Sequence, residues 1–282
     1  MMLSQADSFT SLSKIAPNED RLFGKYYRVS FYGKLFEKND NAVFIYREKK
    51  LTHLYEISSC IVDSFKKLHG EEKIELIKES GPVDVKSLDP NMGYIQVTFV
   101  EPFKNSPNCS SQFFFDTPFI KGEDTKKAQG TVDQQWLRRT VLVVNEKMPF
   151  VVKRQKVANI KTIEIEPIRV SYRQLRERVA AMREAVNSQD MRQVQQLLHG
   201  SLLVQVNEGP TKMAEVFLGN SKAETKYTLK MKNEFREFLN VNQQGLKLHA
   251  RWCMENTEFI PLQHELDSGF QSLKEKLEAY LK

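Results

Sequence analysis

The sequence is poor in cysteine and has no long apolar run. Its three cysteines, among 282 residues, lie far apart in the chain, which fits a reducing compartment and argues against a disulfide framework or a zinc site. No apolar stretch approaches the length of a membrane span, and residues 1–16 lack the basic start and apolar block of a signal peptide. We therefore expect a cytoplasmic protein with a disordered tail over residues 1–21, for which a membrane is at most a surface to be recruited to.

The chain also lacks the motifs that mark common catalytic sites. It has no G-x-G-x-x-G after a predicted strand, no P-loop and no G-x-S-x-G, so neither a dinucleotide site nor a nucleophile elbow is indicated. Its five histidines never cluster with cysteines or carboxylates at ligand spacing. The sequence therefore predicts no metal site and no cofactor, and it favours a protein that acts by binding over an enzyme with covalent chemistry.

The net charge of +6 is concentrated in one part of the chain. Residues 151–200 hold ten Lys or Arg residues against five Asp or Glu residues. Such a surplus attracts nucleic acid, anionic lipid or an acidic protein surface, or it is a solvated helix face. Aromatic residues are not interleaved with these arginines, so single-stranded nucleic acid is not favoured. The residues predicted to form a steering face for an acidic partner are Arg173, Arg176 and Arg183.

The hydrophobic pattern divides the chain near Pro167. Upstream, short β-branched and aromatic segments with turn residues between them are typical of strands. Most connections are short, which favours antiparallel pairing. One helix interrupts the strands and is predicted to carry Ile57, Ile61, Phe65 and Leu68 on a single face. A second short helix is predicted over 132–138. The predicted strands cover residues 27–32, 42–46, 94–100, 113–115, 140–144, 150–152 and 162–165.

Downstream of Pro167 the pattern is helical throughout. Apolar residues repeat at three- and four-residue steps between Ile168 and Val186, as on one stripe of an amphipathic helix. Further helices follow, one of them with Pro261 at its start, where helices accept proline. Several helices with short joints are typical of a bundle. The sequence therefore predicts an α+β protein, with a β-rich lobe over 22–166 and a helical bundle over 167–282.

One helix of this bundle is interrupted by an apolar segment, L-L-H-G-S-L-L-V-Q-V-N-E-G-P (197–210). Gly200 is predicted to open the break and Gly209-Pro210 to close it, because neither residue type favours a helix interior. The residues between them are apolar where a solvent-exposed loop is normally polar. Such a loop is either buried in its own protein or inserted into another protein, and the pattern alone leaves both alternatives open.

Seven segments form a longer pattern, in the order L-F-G-K-Y-Y-R-V-S-F-Y-G-K-L-F (22–36), F-I-Y-R-E-K-K-L-T-H-L-Y-E-I-S (44–58), G-Y-I-Q-V-T-F-V-E-P-F (93–103), F-F-F-D-T-P-F (113–119), G-T-V-D-Q-Q-W-L-R-R-T-V-L (130–142), I-E-P-I-R-V (165–170) and G-S-L-L-V-Q-V-N-E-G-P-T (200–211). In length and order they resemble the catalytic DOCKER region of the dedicator-of-cytokinesis guanine-nucleotide exchange factors. The form V-Q-V-N-x-G-P is most similar to the Zizimin, Zir and SPIKE-like branches of that family.

The resemblance implies an architecture of three lobes, of which this sequence matches the second and third. The second lobe is a pair of packed antiparallel sheets and corresponds to residues 22–166. The third is a four-helix bundle with an interrupted helix and corresponds to residues 167–282, with the nucleotide-sensor loop at 200–210. The first, helical dimerisation lobe has no counterpart before Leu22, so the resemblance does not extend to homodimerisation.

The resemblance also implies a function, guanine-nucleotide exchange on a Rho-family small GTPase that is Rac-like or related. In that family a valine of the loop acts as the nucleotide sensor, and the matching residue here is Val206. Its apolar side chain is expected to exclude Mg²⁺ from the nucleotide site and so promote GDP release. The alternative is a module that binds a GTPase or a membrane without catalysing exchange.

Further residues are assigned to the same site by the resemblance and by their place beside the loop. Asn207, Gly209 and Pro210 are expected to shape the loop around Val206. The residues expected to contact the GTPase are Gln196, Leu197, Leu203, Val204 and Gln205. The resemblance implies no metal bound by this chain, no cofactor and no nucleic-acid partner.

Overall fold

The computed structural model describes residues 24–103, 110–121, 131–149, 151–204, 209–219 and 225–281. Single-turn 3₁₀ helices or short 3₁₀ segments lie at Lys34–Asn39, Glu71–Lys73, Val85–Ser87 and Thr257–Phe259. The strands are β1 Lys25–Tyr32, β2 Val43–Glu48, β3 Ile74–Ile77, β4 Gly93–Pro102, β5 Ser110–Ile120, β6 Gln135–Met148 and β7 Arg154–Ile165. The helices are α1 Leu54–His69, α2 Pro167–Ser188, α3 Met191–Leu202, α4 Pro210–Ala214, α5 Lys226–Cys253 and α6 Ile260–Leu281, with a π-helical turn at Glu215–Gly219.

The described residues divide into two compact units. One takes its residues from Met1–Thr117 and Arg139–Ile163, the other from Pro118–Arg138 and Glu164–Lys282. Residues 118–138 therefore group with the helices, although they lie inside the segment that the sequence assigns to the β-rich lobe. The reason is visible at Val132, which is buried in the same apolar cluster as Leu175 and Phe238 of the helices. The predicted tail over residues 1–21 lies outside the described residues.

The seven strands form one sheet in the order β1-β2-β7-β6-β5-β4-β3, and β1 also pairs with β4. The pairing of β1 with β4 closes six of the strands into a barrel. Strand β4 makes this possible because β1 pairs with it along Tyr94–Val100, while β5 joins it at Glu101 and Pro102. The prediction of two packed sheets is therefore not confirmed, because the described strands form a single closed sheet.

Strand β1 shows why the sheet closes. Its residues Tyr27, Val29 and Phe31 pack with α1 in one apolar cluster, whereas Tyr26 belongs to a second cluster that draws residues from β2, β4, β5 and β6. The polar residues that alternate with these apolar ones in β1 do not face solvent, since Arg28 is also buried. Its Nη2 donates to Thr98 Oγ1 at 2.7 Å, and burial lowers the pKa of Arg28 to about 10.

Three sequence-based predictions about this part of the chain are wrong. Strand β3 pairs with β4 in parallel, so the sheet is not antiparallel throughout. The short helix predicted over 132–138 is a turn followed by the start of β6. Val151 and Val152 lie in a bend before β7 and not in a strand, because β7 begins only at Arg154.

The helical unit agrees closely with the apolar periodicity. Helix α2 begins with Pro167 at its first position, and its stripe of Leu175, Val179 and Met182 is buried. The same cluster includes Phe235 and Phe238 of α5, together with Leu266, Leu273 and Leu277 of α6. Helix α6 starts at Ile260, one residue before the predicted Pro261. Helices α3 and α4 belong to the same core, and the chain between them carries the predicted site.

Candidate functional site

The break between α3 and α4 is shorter than the sequence predicted. Helix α3 continues through Gly200 to Leu202, so the prediction that Gly200 opens the break is wrong: the break begins at Leu203, three residues later. A side chain at position 200 meets nothing within 4 Å. Gly200 is therefore a tolerated helix residue, held in place because Leu198 and Leu202 on either side of it are both buried.

The residues that enter the break are anchored to the core. Leu202 is buried and belongs to the apolar cluster of the helical unit, and Leu203 packs against that cluster. On α6, Gly269 allows this approach, because a Cβ at that position would lie 3.1 Å from Leu202 O and 3.1 Å from Leu203 Cδ2. This role of Gly269 was not predicted, because Gly269 lies 66 residues beyond Leu203 in a helical pattern that glycine normally weakens.

Val204 follows α3 directly after Leu203 and is not part of the core cluster. Its side chain is 46% exposed, although its backbone is still held, since the N–H groups of Leu203 and Val204 both donate to His199 O, at 3.0 and 3.1 Å. An exposed valine directly after two anchored leucines is an apolar surface that the fold itself does not cover. Among the described residues predicted to contact the GTPase, Val204 is the one that is both apolar and exposed.

The residues that leave the break are also anchored. Gly209 and Pro210 are buried, and Met213 N donates to Gly209 O at 3.2 Å. Pro210 occupies the first turn of α4, where its missing N–H is no loss. Met213 and Ala214 complete the anchor in the core cluster. Both ends of the segment are thus anchored by buried residues.

The remaining predicted site residues divide into two groups. Gln196 is exposed on α3, while Leu197 is partly buried against the core, so these two neighbours present different surfaces. Gln205, Val206 and Asn207 lie outside the described residues. Their assignment to the GTPase and its nucleotide therefore remains a prediction.

The predicted basic face is interleaved with carboxylates. Arg183 Nη2 lies 2.8 Å from Glu237 Oε2 of α5, and both side chains are half exposed. Arg173 Nε lies 3.9 Å from Glu177 Oε1 within α2. Burial raises the pKa of Glu234 on α5, whereas the charges of Arg176 and Arg183 oppose that rise. The pairing partners on α5 were not predicted, because they lie more than fifty residues away in the sequence.

The described residues offer no other obvious chemistry at this site. They contain no group of three or more His, Cys, Asp or Glu residues that could hold a metal ion. Within the same residues, no helix is both long enough and apolar enough to pass through a bilayer. What the described residues offer is two anchored helix ends and, beside one of them, the exposed apolar side chain of Val204.

Two protein-family models match this chain. Residues 181–280 match the model described as DHR-2, Lobe C, and residues 80–147 match the model described as DHR-2, Lobe B. The lobe C match includes α3, α4 and the break between them, and the lobe B match includes β4 to β6. Together the two matches span more than half of the chain.

Several curated proteins are similar over nearly the whole chain. Dedicator of cytokinesis protein 11 from Danio rerio is 33% identical over 288 residues, which cover 96% of this chain and 14% of that protein. Dedicator of cytokinesis protein 9 from Mus musculus is 31% identical over 302 residues, 96% of this chain and 14% of that protein. Dedicator of cytokinesis protein 8 from Homo sapiens is 30% identical over 283 residues, 94% and 13% respectively. The chain spans about one seventh of the length of these relatives.

Proposed function

The chain belongs to the dedicator-of-cytokinesis DHR-2 family through its lobe B and lobe C segments, and on this premise we propose that it is a guanine-nucleotide exchange factor for a Rho-family small GTPase. Its catalysis is release of GDP from the GTPase and involves no covalent chemistry of its own. The observation that carries the proposal is the break after α3, where the exposed Val204 stands between two anchored flanks.

The proposed mechanism acts on the metal of the GTPase. Mg²⁺ bridges the nucleotide phosphates and the GTPase, and it requires near-octahedral coordination by oxygen. An isopropyl group at that position offers no oxygen ligand and excludes water. The metal then leaves, the phosphate charge is no longer offset, and GDP dissociates. In this proposal Val206 supplies the isopropyl group, and Asn207, Gly209 and Pro210 aim it.

The flanking residues have a separate role in the proposal. Val204 contributes apolar contact area to the GTPase, and Gln196, exposed on α3, contributes a polar contact. Leu203 contributes mainly by holding the segment against Gly269, and Leu197 by packing α3 on the core. Anchored flanks help to position the sensor, because a loop whose ends are already fixed loses less conformational entropy when it binds.

The finer family assignments belong to the same proposal. We infer that residues 22–166 and 167–282 correspond to the second and third lobes, and that the loop motif places the chain nearest to the Zizimin, Zir and SPIKE-like branches. A Rac-like or related GTPase is the proposed partner. Gln196 is the residue to vary first in a test of partner choice, because it is exposed beside the break.

The experiment is release of fluorescent GDP from a panel of purified Rho-family GTPases, with the chain present or absent and at low and moderate salt. Faster release from at least one GTPase supports the proposal. A stable complex without faster release assigns the chain to the alternative, a GTPase-binding module that does not catalyse exchange. If no GTPase binds and none releases GDP faster, the proposal is overturned.

A further inference from the structure

Two loops lie next to each other at one end of the sheet, within a single compact unit. One follows β2 and leads into α1, and the other leads into β7. Tyr46 of β2 is paired with Arg154 of β7, and Arg47 N donates to Lys153 O at 2.8 Å. Because the two strands are antiparallel, the chain beyond Arg47 and the chain before Lys153 leave the sheet side by side.

The first loop is held firmly although its tip is exposed. Tyr27 Oη and Lys25 Nζ of β1 both donate to Thr52 O, at 2.8 and 3.1 Å. Thr52 N donates back to Lys49 O at 3.0 Å, which closes a turn. The apolar side chain at the tip of this turn, Leu51, is therefore presented by a fixed backbone.

Both loops expose large apolar side chains. Leu51 is 84% exposed, Tyr55 at the start of α1 is 68% exposed, and Val151 before β7 is 88% exposed. Leu54 and Val152 beside them are also classed among the exposed large hydrophobic residues. Isolated exposed apolar residues are common on proteins, but a group of them at one end of a domain marks an interaction surface.

The same end carries a one-sided charge. Residues 47–55 and 151–156 contain six Lys or Arg residues and a single acidic one, Glu48. The next carboxylate along the chain is Glu56, whose Oε2 accepts from His53 N at 2.6 Å, and counting it still leaves six basic residues against two acidic ones. Five of these bases are exposed, and three of them, Lys49, Lys50 and Lys153, lie next to the exposed apolar residues in the chain.

We propose that this end of the sheet docks on an anionic lipid bilayer. Leu51, Tyr55 and Val151 insert into the interfacial region, while Lys49, Lys50 and Lys153 bind the lipid headgroups. The combination fits a membrane surface because apolar insertion and attraction to anionic lipid add to one another. A second copy of the chain fits less well, because a symmetric dimer through this end would place the same basic residues against each other.

This proposal is independent of nucleotide exchange and differs from the one based on the arginines of α2. Those arginines are interleaved with carboxylates, as at Arg183 and Glu237, whereas the basic residues of the two loops have one acidic neighbour within the same segments. We therefore assign membrane attraction to the two loops at this end of the sheet and not to the arginines of α2.

The test is sedimentation of the full chain with phosphatidylcholine vesicles that contain or lack phosphatidylserine. We expect binding only to the anionic vesicles, and we expect it to weaken as added salt shortens the screening length from about 10 Å at 0.1 M to about 3 Å at 1 M. Lys49→Glu with Lys50→Glu reduces binding by at least about tenfold, since each basic residue near an anionic surface contributes roughly fivefold. Leu51→Ser reduces it by about tenfold.

The other end of α1 provides matched controls. Leu68 is 75% exposed and follows Lys66 and Lys67, so its composition repeats that of Lys49, Lys50 and Leu51. Helix α1 separates the two ends by roughly 20 Å at about 1.5 Å per residue. Leu68→Ser, and Lys66→Glu with Lys67→Glu, are expected to leave vesicle binding unchanged, and thermal melting confirms that all variants are folded.

Three results overturn the proposal. One is a chain that does not sediment with anionic vesicles. Another is equal loss of binding at the two ends of α1, either in Leu51→Ser and Leu68→Ser or in the two double Lys→Glu variants, which would indicate attraction that is not specific to this end of the sheet. A third is concentration-dependent dimerisation in light scattering that Leu51→Ser abolishes while vesicle binding persists, which would assign this surface to a second copy.

Discussion

The helical unit is interrupted on both sides of α3, and the two breaks differ in how their ends are satisfied. At the first break, Gln189 adopts a left-handed conformation and Asp190 caps α3, with its Oδ1 accepting from Gln193 N at 3.1 Å. Asp190 N in turn donates to Ala185 O at 3.2 Å. At the second break neither Leu203 nor Gly209 provides a side-chain cap.

The two breaks therefore differ in what they leave for another molecule to bind. A helix end that is capped by its own side chains needs nothing more, because its free N–H and C=O groups already have partners. The second break leaves an exposed valine between buried flanks. Burial of this apolar surface against another molecule would lower the free energy. The first break is therefore interpreted as a structural turn and the second as a binding element.

The largest effect is expected from Leu202, on the structural side of the second break. Leu202→Ala removes a buried side chain from the core cluster and should lower the free energy of unfolding by about 3 kcal/mol. Chemical denaturation measures this. Val204→Ala serves as the control, since its side chain is 46% exposed and its loss should change stability by less than about 0.5 kcal/mol. Equal losses in the two variants would contradict the boundary drawn between Leu202 and Val204.

The next largest effect is expected at Val206 itself. Val206→Ala removes two methyl groups, worth about 1.6 kcal/mol of apolar contact, so GDP release should slow by roughly tenfold. The affinity for the GTPase and the melting temperature should change little. If melting temperature falls while exchange by the folded fraction is preserved, Val206 is a core residue and the sensor assignment is wrong.

A smaller effect is expected at the first break. Asp190→Ala removes the capping carboxylate of α3 and should lower the free energy of unfolding by about 1 kcal/mol. Exchange by the folded fraction should be unchanged, because the cap lies at the far end of α3 from the break. Asp190→Asn keeps an acceptor and should restore most of the stability.

The smallest effect is expected from the basic face of α2. Charge reversal at Arg173, Arg176 and Arg183 should slow association with an acidic partner and flatten its salt dependence, while dissociation stays nearly constant. The effect is limited because Glu237 already pairs with Arg183, and breaking such an exposed pair costs about 0.2–1 kcal/mol. An unchanged association rate in stopped-flow measurements would mean that these arginines are solvated surface residues without a steering role.

The sequence predicted the helical unit well because its signals are local. The stripe of Leu175, Val179 and Met182 repeats at the spacing of one helix face, and each of these residues is buried. Pro167 marked the start of α2 correctly. Gly200 misled the prediction because a weak helix preference is overridden when neighbours on both sides are buried.

The sheet and the site depend on contacts that a local pattern does not contain. The alternating pattern of β1 predicts that Arg28 faces solvent. Closure of the sheet instead buries it beside Thr98, which is 70 residues away in the sequence. The glycine that lets α6 approach Leu202 and Leu203, Gly269, resembles any other helix glycine in the sequence. Val206 was assigned through family resemblance alone, since nothing in the spacing of L-V-Q-V-N separates a sensor from a core valine.

The most direct test compares one variant at each break of the helical unit in the same set of preparations. Melting temperature and fluorescent-GDP release are measured together for the unchanged chain, Asp190→Ala and Val206→Ala. We predict that Asp190→Ala lowers only the melting temperature, while Val206→Ala slows only GDP release, by roughly tenfold. The reverse result, in which Val206→Ala lowers the melting temperature and leaves release by folded molecules intact, would contradict the claim that the second break carries exchange.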